Sequence, residues 1–141
     1  MWNYFWPILL VVAFNVSYHI CSKSTPQNIQ PFAALMVTYF VSLVVTVILY
    51  FFTSETKSLV GDLKNLNWTS FVLGISIVGL EVGFIQMYRA GWNISIGSLV
   101  ANIALAVVLI VVGLLVYHDN ISVNQTIGIV LCIAGLLFIN I

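Results

Sequence analysis

The feature that most constrains this chain is a set of five apolar runs, each close to 20 residues long and almost free of charge. A helix needs about 20 mostly apolar residues to cross the hydrocarbon of a bilayer. The runs cover 3–22, 31–52, 68–89, 94–117 and 121–141. Continuous apolar stretches of this length do not suit a β-barrel, whose strands are short and alternate in polarity. The expected fold is therefore all-α, an integral membrane bundle of five transmembrane helices forming one domain over 1–141.

Charge content excludes the alternatives. The 141 residues include 4 Lys or Arg and 4 Asp or Glu, 6% in all. A soluble domain carries about 25%, and a small one leaves much of its surface wet. Lipid is the solvent this chain suits. A formal net charge of zero argues against a nucleic-acid partner, and no polybasic run addresses an anionic membrane surface. Cys21 and Cys132 lie inside apolar runs and fit neither a disulfide framework nor a metal-ligand spacing. Phosphate-binding loops, nucleophile elbows and metal motifs are missing from the sequence, so neither an enzyme nor a cofactor or metal is expected.

Boundary signals agree with the runs. Trp2, Trp6, Tyr50, Trp68, Trp92 and Tyr117 stand near span ends, where amphipathic rings favour the interface. Pro31 suits a first helical turn, and Gly91 suits a C-terminal cap. The first run lacks a basic leader and a small-residue cleavage site, so it reads as a retained span. Only the connection 53–67 is long, and its charges, Glu55, Lys57, Asp62 and Lys64, are mixed in sign. The N-x-S/T triplets at Asn15, Asn67, Asn93, Asn120 and Asn124 arise readily by chance and are not read as glycosylation sites.

Orientation is almost unspecified. Lys57 and Lys64 fall on one side of a five-span chain and Lys23 and Arg89 on the other, so the positive-inside rule barely discriminates. Two readings fit this balance: one orientation set by other factors, or dual topology, with copies inserted both ways. The second would build from one chain the inverted repeat found within many transporters.

Polar side chains inside a span are costly, so their angular placement is informative. Asn15, Tyr18, His19 and Ser22 form one stripe on the first span. Thr38, Tyr39, Ser42 and Thr46 form a second, and Ser95, Ser98 and Asn102, continued by Ala106 and Gly113, a third. Each follows the 3.6-residue period. Such stripes can glue helices by hydrogen bonds of about 0.6 kcal/mol each, or converge on a substrate-lined cavity. Three stripes in five helices favour the cavity.

Glu81 is the sharpest signal, the one acid near the centre of a span. A carboxylate there costs about 2.5–3.5 kcal/mol on insertion scales, so a partner or a function must offset it. Its face also carries Gly74, Ile77, Phe84, Ile85 and Tyr88, and its candidate partners are His19, Lys23 and Arg89. Either it forms a structural pair or it binds a proton or a cationic group, with Phe84 and Tyr88 adding cation–π contacts. Gly79 and Gly83 lie on nearly the opposite face as a GxxxG packing pair. On the last span Gln125, Gly128, Cys132 and Gly135 form a second small-residue seam, within the bundle or between copies.

The C-terminal third resembles the EamA-like repeat of the drug/metabolite transporter superfamily. The resemblance rests on Gly97-Ser98-Leu99, on the loop His118-Asp119-Asn120-Ile121-Ser122 with Gln125 and Gly128, and on Ile133-Ala134-Gly135-Leu136. Met87-Tyr88-Arg89-Ala90 also looks like the family pattern, while Asp119 stands where the family usually has Glu. Most members with this repeat have two tandem copies and ten spans; a single copy implies a dimer. The last two spans are also similar to those of the small multidrug resistance proteins, which are antiparallel homodimers. Their membrane-embedded acid in the first span matches Asn15 here, which carries no proton, so their exchange chemistry does not transfer.

The resulting expectation is an alternating-access exporter of small metabolites or drug-like solutes in the inner cell membrane, working as an antiparallel homodimer. Its cavity would lie among Asn15, Tyr18, His19, Ser42, Glu81, Tyr88, Ser98 and Asn102, with protons as possible coupling partners at Glu81. A non-transporting subunit of a heteromeric complex, or of a lipid-linked sugar flippase, is the alternative. Reporters fused to the C-terminus, one active only in the cytosol and one only outside it, separate the topologies. Dual topology gives signal from both, and a fixed orientation from one.

Overall fold

The computed structural model describes residues 2–54, 58–118 and 122–139. They form six helices: α1 (Trp2–Ser24), α2 (Pro31–Thr53), α3 (Leu59–Lys64), α4 (Trp68–Arg89), α5 (Ile94–Val116) and α6 (Val123–Ile139). Among the described residues there is no strand. This is the arrangement lipid imposes, because a helix satisfies its own backbone polar groups where no water can.

Four of these helices are long and apolar enough to cross a membrane: Phe5–Ser24, Pro31–Thr53, Trp68–Arg89 and Ile94–Val116. Their boundaries lie within about two residues of those expected from the runs. Among the described residues four such helices are found where five were expected; α6, described over 17 residues, is not among them. Of that run Ile121, Asn140 and Ile141 lie outside the described set, as does Asp119 of the family-like loop.

Local chemistry explains where the helices begin and end. Pro31 occupies the first turn of α2, where its missing N–H costs nothing. Asn67 caps α4, its side chain accepting from the Thr69 N–H at 3.1 Å. Gly91, at φ +98°, turns the chain out of α4, a conformation that side chains with a Cβ resist. The start of α6 is a reciprocal capping box: the Ser122 N–H donates to Gln125 Oε1 at 2.8 Å, and the Gln125 N–H donates to Ser122 Oγ at 3.3 Å. Gln125, expected on a packing seam, is therefore first a capping residue. The connection 53–67 also differs from a plain loop, since α3 forms within it and Asp62 accepts a 2.5 Å hydrogen bond from the Tyr50 hydroxyl at the end of α2.

The chain divides into two compact units, Met1–Ala90 and Gly91–Ile141. In the first, α4 packs against both α1 and α2. The C-terminal end of α4 meets the C-terminal end of α1 and the start of α2, so α4 runs parallel to α1 and antiparallel to α2. The Arg89 guanidinium fixes this end, donating from Nη2 to the carbonyls of Pro26 at 2.8 Å and Ile29 at 2.6 Å. In the second unit α5 packs on α6.

Large apolar side chains remain outside along the spans, from Phe71 (71% exposed) and Ile75 (75%) on α4 to Phe138 (80%) on α6. Patches of that extent do not suit water, and they identify lipid as their neighbour.

Replacing Arg89 by Ala removes two charge-assisted bonds from the α1–α2 connection. The expected loss is about 2–3 kcal/mol, read as a lowered unfolding midpoint in detergent. Lys at this position, with a single ammonium for two carbonyls, restores only part of it.

Candidate functional site

The first unit gathers its polar side chains at one place, where α1, α2 and α4 meet. His19 of α1 is 8% exposed, and Leu35 of α2 with Ile85 and Tyr88 of α4 are each 4% exposed. These residues recur at helical spacing on the inward face of each element, as the stripes require.

His19 is the centre of the cluster. Its Nδ1 lies 2.9 Å from the Tyr88 hydroxyl in a buried hydrogen bond. Its ring meets Phe84 edge-on at 4.8 Å and Tyr18 at 5.3 Å between centroids, the T-shaped geometry that aromatic quadrupoles favour. Tyr18 also meets Phe84 edge-on at 5.7 Å, and Phe84 and Tyr88 stack one turn apart along α4. The Lys23 ammonium sits 5.5 Å above the Tyr88 ring, a cation–π contact that closes the cluster at the end of α1.

Glu81, half-buried, lies one turn below Phe84. Thirteen residues from Trp68 place it about 20 Å along α4 and about 12 Å short of Arg89, within the hydrocarbon. The neighbours that act on its carboxyl are the hydroxyls of Tyr39 and Tyr18. Of the three expected partners, Arg89 is bound to the Pro26 and Ile29 carbonyls and Lys23 caps Tyr88. Tyrosines surround the acid.

Four buried polar atoms in this unit find no partner within strict hydrogen-bond geometry: Tyr18 Oη, Tyr39 Oη, His19 Nε2 and Arg89 Nε. The Tyr39 hydroxyl nevertheless faces the Glu81 carboxyl and the Tyr18 hydroxyl lies beside Ser22, whereas His19 Nε2 has no such neighbour. Buried polar groups in folded proteins are overwhelmingly paired, so this cluster is the candidate site of the unit. No three His, Cys, Asp or Glu side chains come together as a metal site among the described residues.

The other expected site residues divide. Asn15 and Ser42 are exposed, although they share a helix with the cluster. The stripe hydroxyls largely bond back to their own helices, Thr38 to the Ala34 carbonyl at 3.2 Å and Thr46 to the Ser42 carbonyl at 2.7 Å. Back-bonding of this kind satisfies a hydroxyl in lipid without any partner helix. In the second unit Ser98 bonds back to the Ile94 carbonyl at 2.6 Å, and Asn102 is exposed.

The second unit holds an open groove of about 680 Å³ between α5 and α6, lined by Ile103, Ala106, Ile110 and Gly113 on one wall and Gly128, Ile129 and Cys132 on the other. Its walls are apolar and it lacks titratable chemistry beyond the Cys132 thiol. A Cβ placed at Gly79, Gly83, Gly128 or Gly135 would meet no heavy atom within 4 Å. The backbone is therefore open at these four glycines, and Gly128 and Cys132 face α5 across the groove.

Sequence reasoning placed Tyr18, His19, Glu81 and Tyr88 together and left Tyr39 among stripe residues of unspecified role. The signal for Tyr39 was present: it is the only residue of the α2 stripe whose hydroxyl extends beyond reach of its own backbone.

The helices long and apolar enough to cross a membrane define a multi-pass membrane protein. The EamA-like transporter family model matches residues 2–141, and the chain belongs to that family. It therefore contacts the bilayer and acts on small-molecule substrates. No curated protein and no solved structure matches the chain significantly.

Tyr88→Phe removes the buried bond to His19 and leaves Nδ1 unpaired. A stability loss of about 1 kcal/mol, between the 0.6 typical of interhelical bonds in lipid and the 1–3 of an orphaned buried group, is expected in detergent unfolding.

Proposed function

We propose that the protein is an alternating-access exporter of small metabolites or drug-like solutes, coupled to protons through Glu81 and assembled as an antiparallel homodimer in the inner cell membrane. The observation that carries this reading is the intramembrane carboxyl of Glu81 facing the buried hydroxyls of Tyr39 and Tyr18. An acid held in lipid by neutral hydroxyls can exchange a proton for a cationic or hydrogen-bonding solute. The same hydroxyls can then bond whichever species is present.

The open glycine seams support the homodimer. Small residues let helix backbones approach closely in lipid, where dispersion rather than hydrophobic exclusion drives association. Backbone left open at these glycines suits a second copy.

Glu81→Gln keeps the shape and removes the titratable proton. In proteoliposomes loaded with a pH-sensitive dye, solute-driven proton movement should fall to the rate of empty liposomes, with expression and detergent stability unchanged. Retained proton movement would remove the coupling role.

The pairing is tested in a chain whose two native cysteines, Cys21 and Cys132, both exposed and unpaired, are replaced by Ser. Gly128→Cys and Gly135→Cys stand two turns apart on the seam face of α6. Antiparallel copies cross-link 128 to 135, and parallel copies cross-link each position to itself.

A further inference from the structure

His19 is the most enclosed polar side chain in the first unit, and one of its two nitrogens has nothing to bond. Nδ1 is committed to the Tyr88 hydroxyl at 2.9 Å. The nitrogens of an imidazole point away from each other, so Nε2 faces away from Tyr88. It is buried without a partner, in a residue only 8% exposed. A buried group left in this state is destabilising, a penalty that an acceptor brought by a bound molecule removes.

The tautomer follows from the partner. A phenol is a good proton donor and a neutral imidazole nitrogen a good acceptor, so Tyr88 donates to Nδ1 and the ring proton resides on Nε2. The Lys23 ammonium over the Tyr88 ring withdraws electron density from the phenol and strengthens it as a donor. The edge-on contacts with Tyr18 and Phe84 hold the ring plane. Nε2–H is thus an oriented, desolvated donor without an acceptor in its own chain.

We propose that His19 Nε2–H is a specificity-determining donor for a neutral oxygen acceptor, a carbonyl or hydroxyl, on the transported solute, and that Tyr88 is the positioning residue that sets its tautomer. Resting on the reading of Glu81 above, the solute also carries an ammonium group for that carboxyl and the aromatic faces beside it. The substrate class is then a small amine bearing an uncharged oxygen function. The titratable groups in contact with His19 are Tyr18 from α1 and Tyr88 from α4, with the Lys23 ammonium over the Tyr88 ring.

Two amide substitutions separate a ligand role from a structural one. In Asn the amide nitrogen or oxygen overlays Nδ1 and keeps the bond to Tyr88; in Gln the amide nitrogen overlays Nε2 and keeps the donor. The probes are glycinamide and isobutylamine, which share an ammonium and a branched heavy-atom skeleton and differ in that methyl groups replace the amide. Binding is read as stabilisation of the full chain in lipid nanodiscs. Glycinamide should bind at least about tenfold more tightly than isobutylamine to the native protein and to His19→Gln. That preference should vanish in His19→Asn and shrink in Tyr88→Phe. Nitrogen-15 spectra of labelled His19 at mildly alkaline pH should show the proton on Nε2, and a mixture of tautomers in Tyr88→Phe.

Equal binding of the two probes to the native protein, no binding of glycinamide, loss of the preference in Gln but not in Asn, or a proton on Nδ1 would each overturn the proposal. The outcome is separable from the coupling role of Glu81. Glu81→Gln weakens both amines together and leaves their ratio unchanged, whereas His19→Asn changes the ratio.

Discussion

In hydrocarbon a polar group has no solvent to bond to, and the rest of this structure follows from that constraint. Backbone groups meet it by forming helices. Hydroxyls on the spans meet it by bonding back one turn, as Thr38, Thr46, Ser76 and Ser98 do. Arg89 meets it by binding two loop carbonyls at the end of its helix. Against this background His19 Nε2 stands out as a buried atom with no partner in its own chain, while the Tyr39 and Tyr18 hydroxyls turn towards Glu81 and Ser22.

The constraint also explains how the first unit is organised. α4 carries the costly acid and is the helix that contacts both α1 and α2. Its last turn is fastened twice, by the Arg89 bonds and by the Tyr88 bond to His19, so the polar cluster lies beside the most firmly tied part of the bundle. Two turns further into the membrane, Glu81 lies where these ties no longer act directly. That pairing of a fixed end with a polar interior suits a site that must keep its shape while solutes and protons enter and leave.

Much of this was legible in the residues. The spans are readable because burial in lipid demands length and apolarity, properties of single segments. Glu81 and the stripe of Tyr18 and His19 are readable because a polar residue in a span is rare and its helical phase is known. The Ser122–Gln125 capping box is equally local, yet its spacing was absorbed into the family-like pattern and its physical role was seen only in the backbone bonds. Ser42 and Asn15 share the periodicity of the cluster and are exposed, because a stripe about 100° wide includes positions at its margin that never reach the neighbouring helix. The neighbour of Glu81 that sequence did not single out is Tyr39, because period gives the face of α2 and not what stands opposite it.

The sequence by itself determined that this chain lives in lipid, that it is helical, and that one acid must be accounted for within the membrane. These properties follow from composition and period, and each residue contributes to them wherever its neighbours fall. Only the tertiary structure decided that Tyr88 holds His19, that Tyr39 faces Glu81, and that α6 is begun by a capping box. Those are relations between helices or between ladder-end groups, set by how side chains pack and which donors meet which acceptors. Period gives the face of a helix; it does not say what stands opposite.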